Sequence, residues 1–195
     1  MAETHKKESK PKTFDELWEA AKTEIFRLEL LNTYNIDYEA EAFKRYKQGN
    51  PINSLEVPGF KDWLSKIEEK TKNGVSIIDV QVLDLPMSDY LKFGISSASF
   101  LAEERGEKFL FVERKYVSKL VTNVPDYWMF DSKTVITMNY DSAGRLISKG
   151  NPIDDRKEIS KYLELKKKLL RAGIPMHEFL RMNGIKLEKV YKGSY

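Results

Sequence analysis

The sequence has 195 residues, 41% of them hydrophobic and 32% charged, which suits one solvated domain and leaves little room for a second core. A net charge of +3 lacks the strongly basic balance of a dedicated nucleic-acid-binding protein, and the absence of cysteine excludes disulfides, thiol nucleophiles and cysteine metal ligands. No apolar run approaches the roughly 20 residues that cross a bilayer, and residues 1–12 lack the apolar core of a secretory signal, so we expect a cytoplasmic protein without membrane contact.

The first third of the chain is predicted to be helical. Residues 1–12 are polar and aperiodic, which predicts a disordered tail, and Thr13 with Glu16 forms a capping box that starts the first helix. Its apolar stripe has helical spacing to about Leu31. Two further helices, each ending at an Asn or Gly stop signal, complete a helical part over residues 13–74.

The middle of the chain, residues 75–150, is predicted to form the sheet. Residues 75–83 are rich in β-branched side chains and indicate a buried strand, and residues 109–112 indicate a second one. Ser88 is a good N-cap for the helix between them, although Gly94 and the serines after it weaken the helical pattern. Strand, helix and strand in this order predict a parallel crossover.

A three-strand antiparallel meander follows, because aromatic and β-branched runs are interrupted by Asp-Ser-Lys and by Asp-Ser-Ala-Gly. The predicted fold class is therefore α+β, with a mixed sheet of about five strands that ends in this meander. Asp155 and Glu158 begin a long helix to Arg171, and Pro175 opens a short one. We expect one globular domain over residues 13–187 and a frayed tail over 188–195.

Three segments, in order, resemble a known family. They are Phe26-Arg27-Leu28-Glu29 with Tyr34, then Leu85-Pro86-Met87-Ser88-Asp89-Tyr90-Leu91-Lys92-Phe93, and finally the meander with Tyr127-Trp128-Met129-Phe130-Asp131-Ser132-Lys133. The pattern is similar to that of a prokaryotic, mainly actinobacterial, domain family of unknown function, whose genes often lie beside small helix-turn-helix regulators. The resemblance spans residues 14 to 179. It implies a fold and a regulatory context, and it implies no activity.

The usual catalytic groups are scarce. Histidine, the common proton shuttle near neutral pH, occurs only at His5 and His177, and two distant histidines without cysteine disfavour a zinc site. We expect His177 to be a surface residue near a helix N-terminus. The sequence contains no Gly-x-Gly-x-x-Gly fingerprint and no Gly-Lys-Ser or Gly-Lys-Thr phosphate loop, so no cofactor is predicted.

One enzymatic alternative starts from Glu113 and Lys115, at the end of a predicted apolar strand. A carboxylate, one spacer and a lysine at a strand end is how one large nuclease group holds magnesium and its water, and Asp89 or another aspartate could complete the set. The same triplet is common by chance in a chain this rich in charge. The nuclease hypothesis requires these three side chains to line one cleft.

Polar residues at the predicted helix start are a candidate binding cluster. Ser88, Tyr90 and Lys92 lie where free backbone amides could meet a phosphate or carboxylate, although Ser88 as a plain N-cap explains the pattern equally well. Arg27 and Glu29 alternate with leucines and could form a buried ion pair that joins a helix to the sheet.

The C-terminal part carries a concentration of basic residues that could bind phosphates or could be an ordinary solvated helix face. Those on the predicted long helix are Lys161, Lys166, Lys167, Lys168 and Arg171. The leading hypothesis is a non-enzymatic binding or regulatory protein with a protein or nucleic-acid partner, which predicts a shallow basic or aromatic surface. A magnesium-dependent nuclease or phosphodiesterase is the alternative.

Overall fold

A computed structural model describes residues 13–187, so the expected tails at 1–12 and 188–195 lie outside the described residues. The helices are α1 (Phe14–Ala20), α2 (Ala40–Lys47), α3 (Phe60–Lys72), α4 (Asp89–Gly94), α5 (Phe100–Glu104), α6 (Arg114–Val121), α7 (Arg156–Ala172) and α8 (Met176–Met182). The strands are β1 (Glu24–Glu29), β2 (Ser76–Leu83), β3 (Glu107–Glu113), β4 (Asp126–Phe130), β5 (Thr134–Tyr140), β6 (Leu146–Lys149) and β7 (Ile174–Pro175). Among these residues, the helices are too short or too polar to traverse a lipid bilayer.

All seven strands form one mixed sheet in the order β6-β5-β4-β1-β2-β3-β7. Strands β1, β2 and β3 are parallel neighbours, and the other pairings are antiparallel. The structure thus confirms the mixed sheet, the parallel pairing of β2 with β3 and the meander of β4, β5 and β6. The expected number of about five strands was too low, because β1 and the two-residue strand β7 were not predicted.

The prediction of one helix from Phe14 to about Leu31 is wrong. Helix α1 ends at Ala20, and β1 is a central strand with Ile25, Phe26 and Leu28 fully buried. A strand covered on both faces has apolar residues at nearly consecutive positions, so its spacing can match a helical stripe by coincidence.

The sheet has two covered faces, which we call front and back. Ile25 and Trp128 point to the front, where α1 and α3 pack on them through Trp18 and Ile67. Phe26 and its neighbours on the back contact α6 and α7. Because side chains alternate along a strand, Arg27 and Glu29 share the front with Ile25.

Asp131, in the turn between β4 and β5, secures the start of β1. Its carboxylate accepts hydrogen bonds from the backbone amides of Lys22, Thr23 and Glu24, at 2.7 to 3.1 Å, and from the Thr23 hydroxyl. The backbone φ of Asp131 is +49°, a conformation that Asp and Asn tolerate better than other residues with side chains. This turn therefore holds the strand that carries Arg27 and Glu29.

We expect Asp131→Ala to lower the free energy of unfolding by about 2 kcal/mol at pH 7, since hydrogen bonds to charged groups are lost and Ala is strained at positive φ. Asp131→Asn keeps an acceptor and tolerates the backbone, so it should lose less than half as much. Urea unfolding of both variants measures the difference. Equal losses for Ala and Asn would contradict the role of the backbone conformation and the retained acceptor.

Candidate functional site

A cavity of about 160 Å³ lies between the front of the sheet and the helical layer above it. Strands β1, β2 and β3 supply its polar floor: Arg27, Glu29, Asp79, Gln81 and Glu107. The opposite walls come from the 3-10 turns Asp37–Glu39 and Ser54–Glu56, from the start of α3, and from the segment that runs from α4 to α5. Residues far apart in sequence thus meet around one space.

Small side chains in the α4–α5 segment leave room for the cavity. Gly94, Ser97, Ala98 and Ser99 line it, and one π-helical turn spans Ile95–Ser99. Apart from its chain neighbours and the backbone of its own helix, a Cβ atom built on Gly94 has no atom within 4 Å. Gly94 is three or four residues from Tyr90, Leu91, Ser97 and Ala98, which all line the cavity, so a side chain at this position would enter it. The glycine that weakens the helical pattern in the sequence therefore marks the cavity wall.

Arg27 is held on the cavity floor by its neighbours. Its guanidinium forms an ion pair with Glu29, lies 3.4 Å from Asp79 Oδ2, and stacks 4.9 Å from the ring centroid of Trp128. The strand register places Arg27 between Asp79 on β2 and Trp128 on β4. The expected ion pair of Arg27 with Glu29 is confirmed, but it lies within one strand and does not join a helix to the sheet.

The cavity is acidic, because four carboxyl groups line it and Arg27 is the single basic side chain among its described lining residues. The four are Glu29, Glu39, Asp79 and Glu107. Burial raises the pKa of each of them above its ordinary value, and for Glu107 the pKa reaches about 7. This geometry differs from the shallow basic or aromatic surface that the binding hypothesis predicts.

Two buried polar atoms at this cavity lack hydrogen-bond partners. They are Asp79 Oδ1 and Ser54 Oγ, and each of these residues is only 1% exposed. Both residues line the cavity, on opposite sides of it. Within residues 13–187, no other side-chain nitrogen or oxygen atom that is itself fully shielded from solvent is left without a partner.

Tyrosines hold Glu39 and one further acid, Asp126, at the rim. Tyr90 donates a 2.7 Å hydrogen bond to Glu39 Oε2, and Tyr34 donates one to Asp126, which also accepts the backbone amide of Leu30. Burial raises the pKa of Asp126 to about 7. Tyr90 belongs to the predicted binding cluster, and it is the member of that cluster that lines the cavity.

The other members of the predicted cluster lie outside the cavity wall. Ser88 is the N-cap of α4, since its hydroxyl accepts the backbone amide of Leu91 at 3.1 Å, as the capping interpretation predicts. Lys92 forms an ion pair with Asp89 at 3.3 Å on the same helix. Of the three residues, the structure therefore brings only Tyr90 to the cavity wall.

The residues of the nuclease hypothesis do not surround the cavity either. Glu113 and Lys115 form an ion pair of 2.5 Å at the end of β3, with Lys115 largely exposed, while Asp89 lies at the start of α4. The part of the chain that the structure describes has no group of three His, Cys, Asp or Glu residues placed to hold a metal ion. His177 is exposed on α8, where its ring lies 2.6 Å from Glu103.

The basic residues of α7 lie on the back of the sheet, away from the cavity. Lys161, Lys167, Lys168 and Arg171 are exposed to solvent. Lys166 was expected among the solvent-facing basic residues, and this expectation is wrong. It is only 6% exposed and forms an ion pair with Glu24.

Sequence reasoning missed most of the cavity residues, notably Ser54, Gln81 and Glu107. One signal was available, since Asp79 and Gln81 alternate within an otherwise apolar strand and must share a face. Two polar side chains on one face of a central strand indicate a polar site in the adjoining layer.

The comparisons with known proteins give a family and distant structural likenesses. The family model described as "Domain of unknown function (DUF6879)" matches residues 12–181. No curated protein matches the chain. Two similar solved structures are the phospholipase D family member Nuc from Salmonella typhimurium, at 16% identity and a TM-score of 0.43 over 82% of this chain and 85% of that one, and the archaeal chromatin protein TrmBL2, at 13% identity and a TM-score of 0.42. The match to TrmBL2 covers 82% of this chain and 48% of that one.

Proposed function

Since the chain belongs to the DUF6879 family, whose domain has no known function, we propose a function from the cavity itself: the protein is a non-enzymatic domain that binds a small molecule there. Ligand pockets are typically concave, with mostly apolar walls and a few placed polar groups. The acidic floor under the aromatic side chains Phe60, Trp63 and Phe93 has this composition.

The observation that carries this proposal is the pair of unpartnered atoms, Asp79 Oδ1 and Ser54 Oγ. A buried polar atom without a partner costs about 1 to 3 kcal/mol, and native proteins leave few of them. That both belong to lining residues of one cavity indicates a missing partner inside it. A bound ligand that bonds to both atoms would remove this cost.

Two earlier hypotheses remain as predictions beside this one. A regulatory role with a protein or nucleic-acid partner fits a ligand-binding domain, and the exposed basic residues Lys161, Lys167, Lys168 and Arg171 are its candidate contacts. The nuclease hypothesis keeps Glu113 and Lys115, but it lacks a third carboxylate in a shared metal site among the described residues.

Filling the cavity from Gly94 tests the proposal. Because Gly94 has helical φ and ψ and open space at its Cβ position, we expect Gly94→Phe to fold and to occupy the cavity. The probes are a library of fragments of roughly 6 to 12 non-hydrogen atoms, since a cavity of about 150 Å³ holds benzene. Fragments that raise the melting temperature of the natural protein should bind Gly94→Phe at least about tenfold more weakly in calorimetry.

The matched control is Gly94→Ala, which adds one methyl group and removes the helix-weakening glycine. It should stabilise the protein by up to about 1 kcal/mol and should still bind the same fragments. If no fragment shows binding that depends on residue 94, the proposed function is wrong.

A further inference from the structure

The polar groups of the cavity carry an excess of negative charge. Four carboxyl groups face one guanidinium, and no lysine or histidine is among the described lining residues. Asp126 lies behind Tyr34 and adds another carboxyl group near the floor. If all of these groups were ionised, the cavity would hold several negative charges that nothing in the described chain neutralises.

Arg27 is not available to bind an anion. Glu29 and Asp79 already contact its guanidinium, and Trp128 covers one of its faces. An anionic ligand would therefore have to compete with two carboxylates for Arg27 while lying beside Glu107. This arrangement disfavours carboxylate and phosphate ligands.

The Glu107 carboxyl group and one oxygen of Asp79 are left without a direct polar contact. Glu107 is 3% exposed, and no hydrogen bond or ion pair joins its carboxyl group to another described residue. Asp79 Oδ2 contacts Arg27, whereas Oδ1 has no partner. These two residues lie on the neighbouring strands β2 and β3, so one group above them could bond to both.

We propose that the ligand of this cavity is a small organic cation, with an ammonium or guanidinium group on the acidic floor and an apolar body against the aromatic walls. This inference rests on the proposed function. The cation donates hydrogen bonds to Asp79 Oδ1 and to the Glu107 carboxylate, and a second polar group of the ligand reaches Ser54 Oγ. Phe60, Trp63 and Phe93 contact the body of the ligand, and aromatic faces favour a nearby cation.

The acids of the cavity make this binding depend on pH. The titratable and charged groups that line the cavity with Asp79 and Glu107 are Arg27, Glu29, Tyr34, Glu39 and Tyr90. Asp126 also interacts with Asp79, and Tyr140 interacts with Arg27. Burial raises the pKa of Glu107 to about 7, so near pH 6 most of this carboxyl group holds a proton that a cation must displace. Affinity for a cation that stays charged should therefore rise about tenfold between pH 6 and pH 8, because a group with a pKa of about 7 loses its proton in this range.

Three aromatic probes of similar size and different charge test the ligand class. Benzylamine is cationic, benzyl alcohol is neutral and benzoate is anionic, and each suits a cavity of this volume. Calorimetry at pH 8 should give benzylamine a Kd on the order of 1 mM, with benzyl alcohol at least about tenfold weaker and benzoate without measurable binding.

Variants assign the contact and separate this inference from the proposed function. Asp79→Asn should weaken benzylamine at least about tenfold and reduce its preference over benzyl alcohol, whereas Asp62→Asn, an exposed charge-matched control on α3, should change neither. If benzyl alcohol or benzoate binds more tightly than benzylamine, and Gly94→Phe abolishes that binding, the proposal of a cationic ligand is wrong. The proposed binding function would then still hold. No benzylamine binding at all, or binding that Asp79→Asn and Gly94→Phe leave unchanged, also overturns it.

Discussion

Replacing Arg27 with methionine is expected to lower the free energy of unfolding by about 3 kcal/mol at pH 8, the cost of leaving a buried carboxylate without its partner. Arg27 is the counter-ion of Glu29 and approaches Asp79 at 3.4 Å. Methionine keeps much of the apolar contact with Trp128 and removes the charge. The loss should therefore report electrostatics more than packing.

Lower pH should remove part of this loss. Without Arg27, Glu29 and Asp79 can take up protons, since burial already raises the pKa of both groups. We expect a smaller loss at pH 5 than at pH 8, measured by urea unfolding at both pH values.

The control variants for Arg27 separate charge from shape. Arg27→Lys keeps the positive charge and should lose less than Arg27→Met at pH 8, and the double change Arg27→Met with Glu29→Gln should recover part of the stability. An equal loss at pH 5 and pH 8 would mean that packing on Trp128 dominates and would contradict the electrostatic role.

The meander could be predicted because its turns are encoded locally. Asp131, Ser132 and Gly144 adopt positive φ in the two connections, and these residue types favour such turns in any context. The strand β1 could not be predicted in this way. Its burial on both faces is a property of the assembled sheet, and a short apolar run has the same spacing in a helix and in a covered strand.

The site was less accessible from the sequence than the fold. Local sequence patterns indicate Arg27 and Tyr90 as candidate residues. Their shared cavity, however, depends on the register of β1 with β2 and on the position of α4 above the sheet. Ser54 and Glu107 have no local signature, because a serine in a turn and a glutamate at a strand start are ordinary. Only the alternation of Asp79 and Gln81 in β2 indicated a polar front face.

The second large effect is expected at Glu107. Burial raises the pKa of its carboxyl group from the ordinary 4.5 to about 7, with Arg27 opposing the rise and Glu29 adding to it. Between these two values, the folded protein holds a proton that the unfolded chain releases. The stabilisation is therefore complete below pH 4.5 and is lost as the pH rises through 7, at about 1.4 kcal/mol per pH unit for one proton.

Glu107→Gln should remove this dependence, because glutamine is neutral at every pH and has nearly the same shape. Relative to the natural protein, we expect the variant to unfold with similar free energy at pH 4.5 and to be more stable by on the order of 3 kcal/mol at pH 8. Urea unfolding in steps across this range measures the slope, and Glu178→Gln, an exposed acid on α8, is the matched control. If the slope of Glu107→Gln equals that of the natural protein, Glu107 does not carry the buried proton.

The same variant connects stability to ligand binding. A cationic ligand interacts more favourably with ionised carboxylates than with protonated ones, so saturating benzylamine should stabilise the natural protein more at pH 8 than at pH 6. In Glu107→Gln this gain should shrink, since one of the two negative partners of the cation is gone. If benzylamine raises the free energy of unfolding equally in the natural protein and in Glu107→Gln, the cation contacts Asp79 and not Glu107.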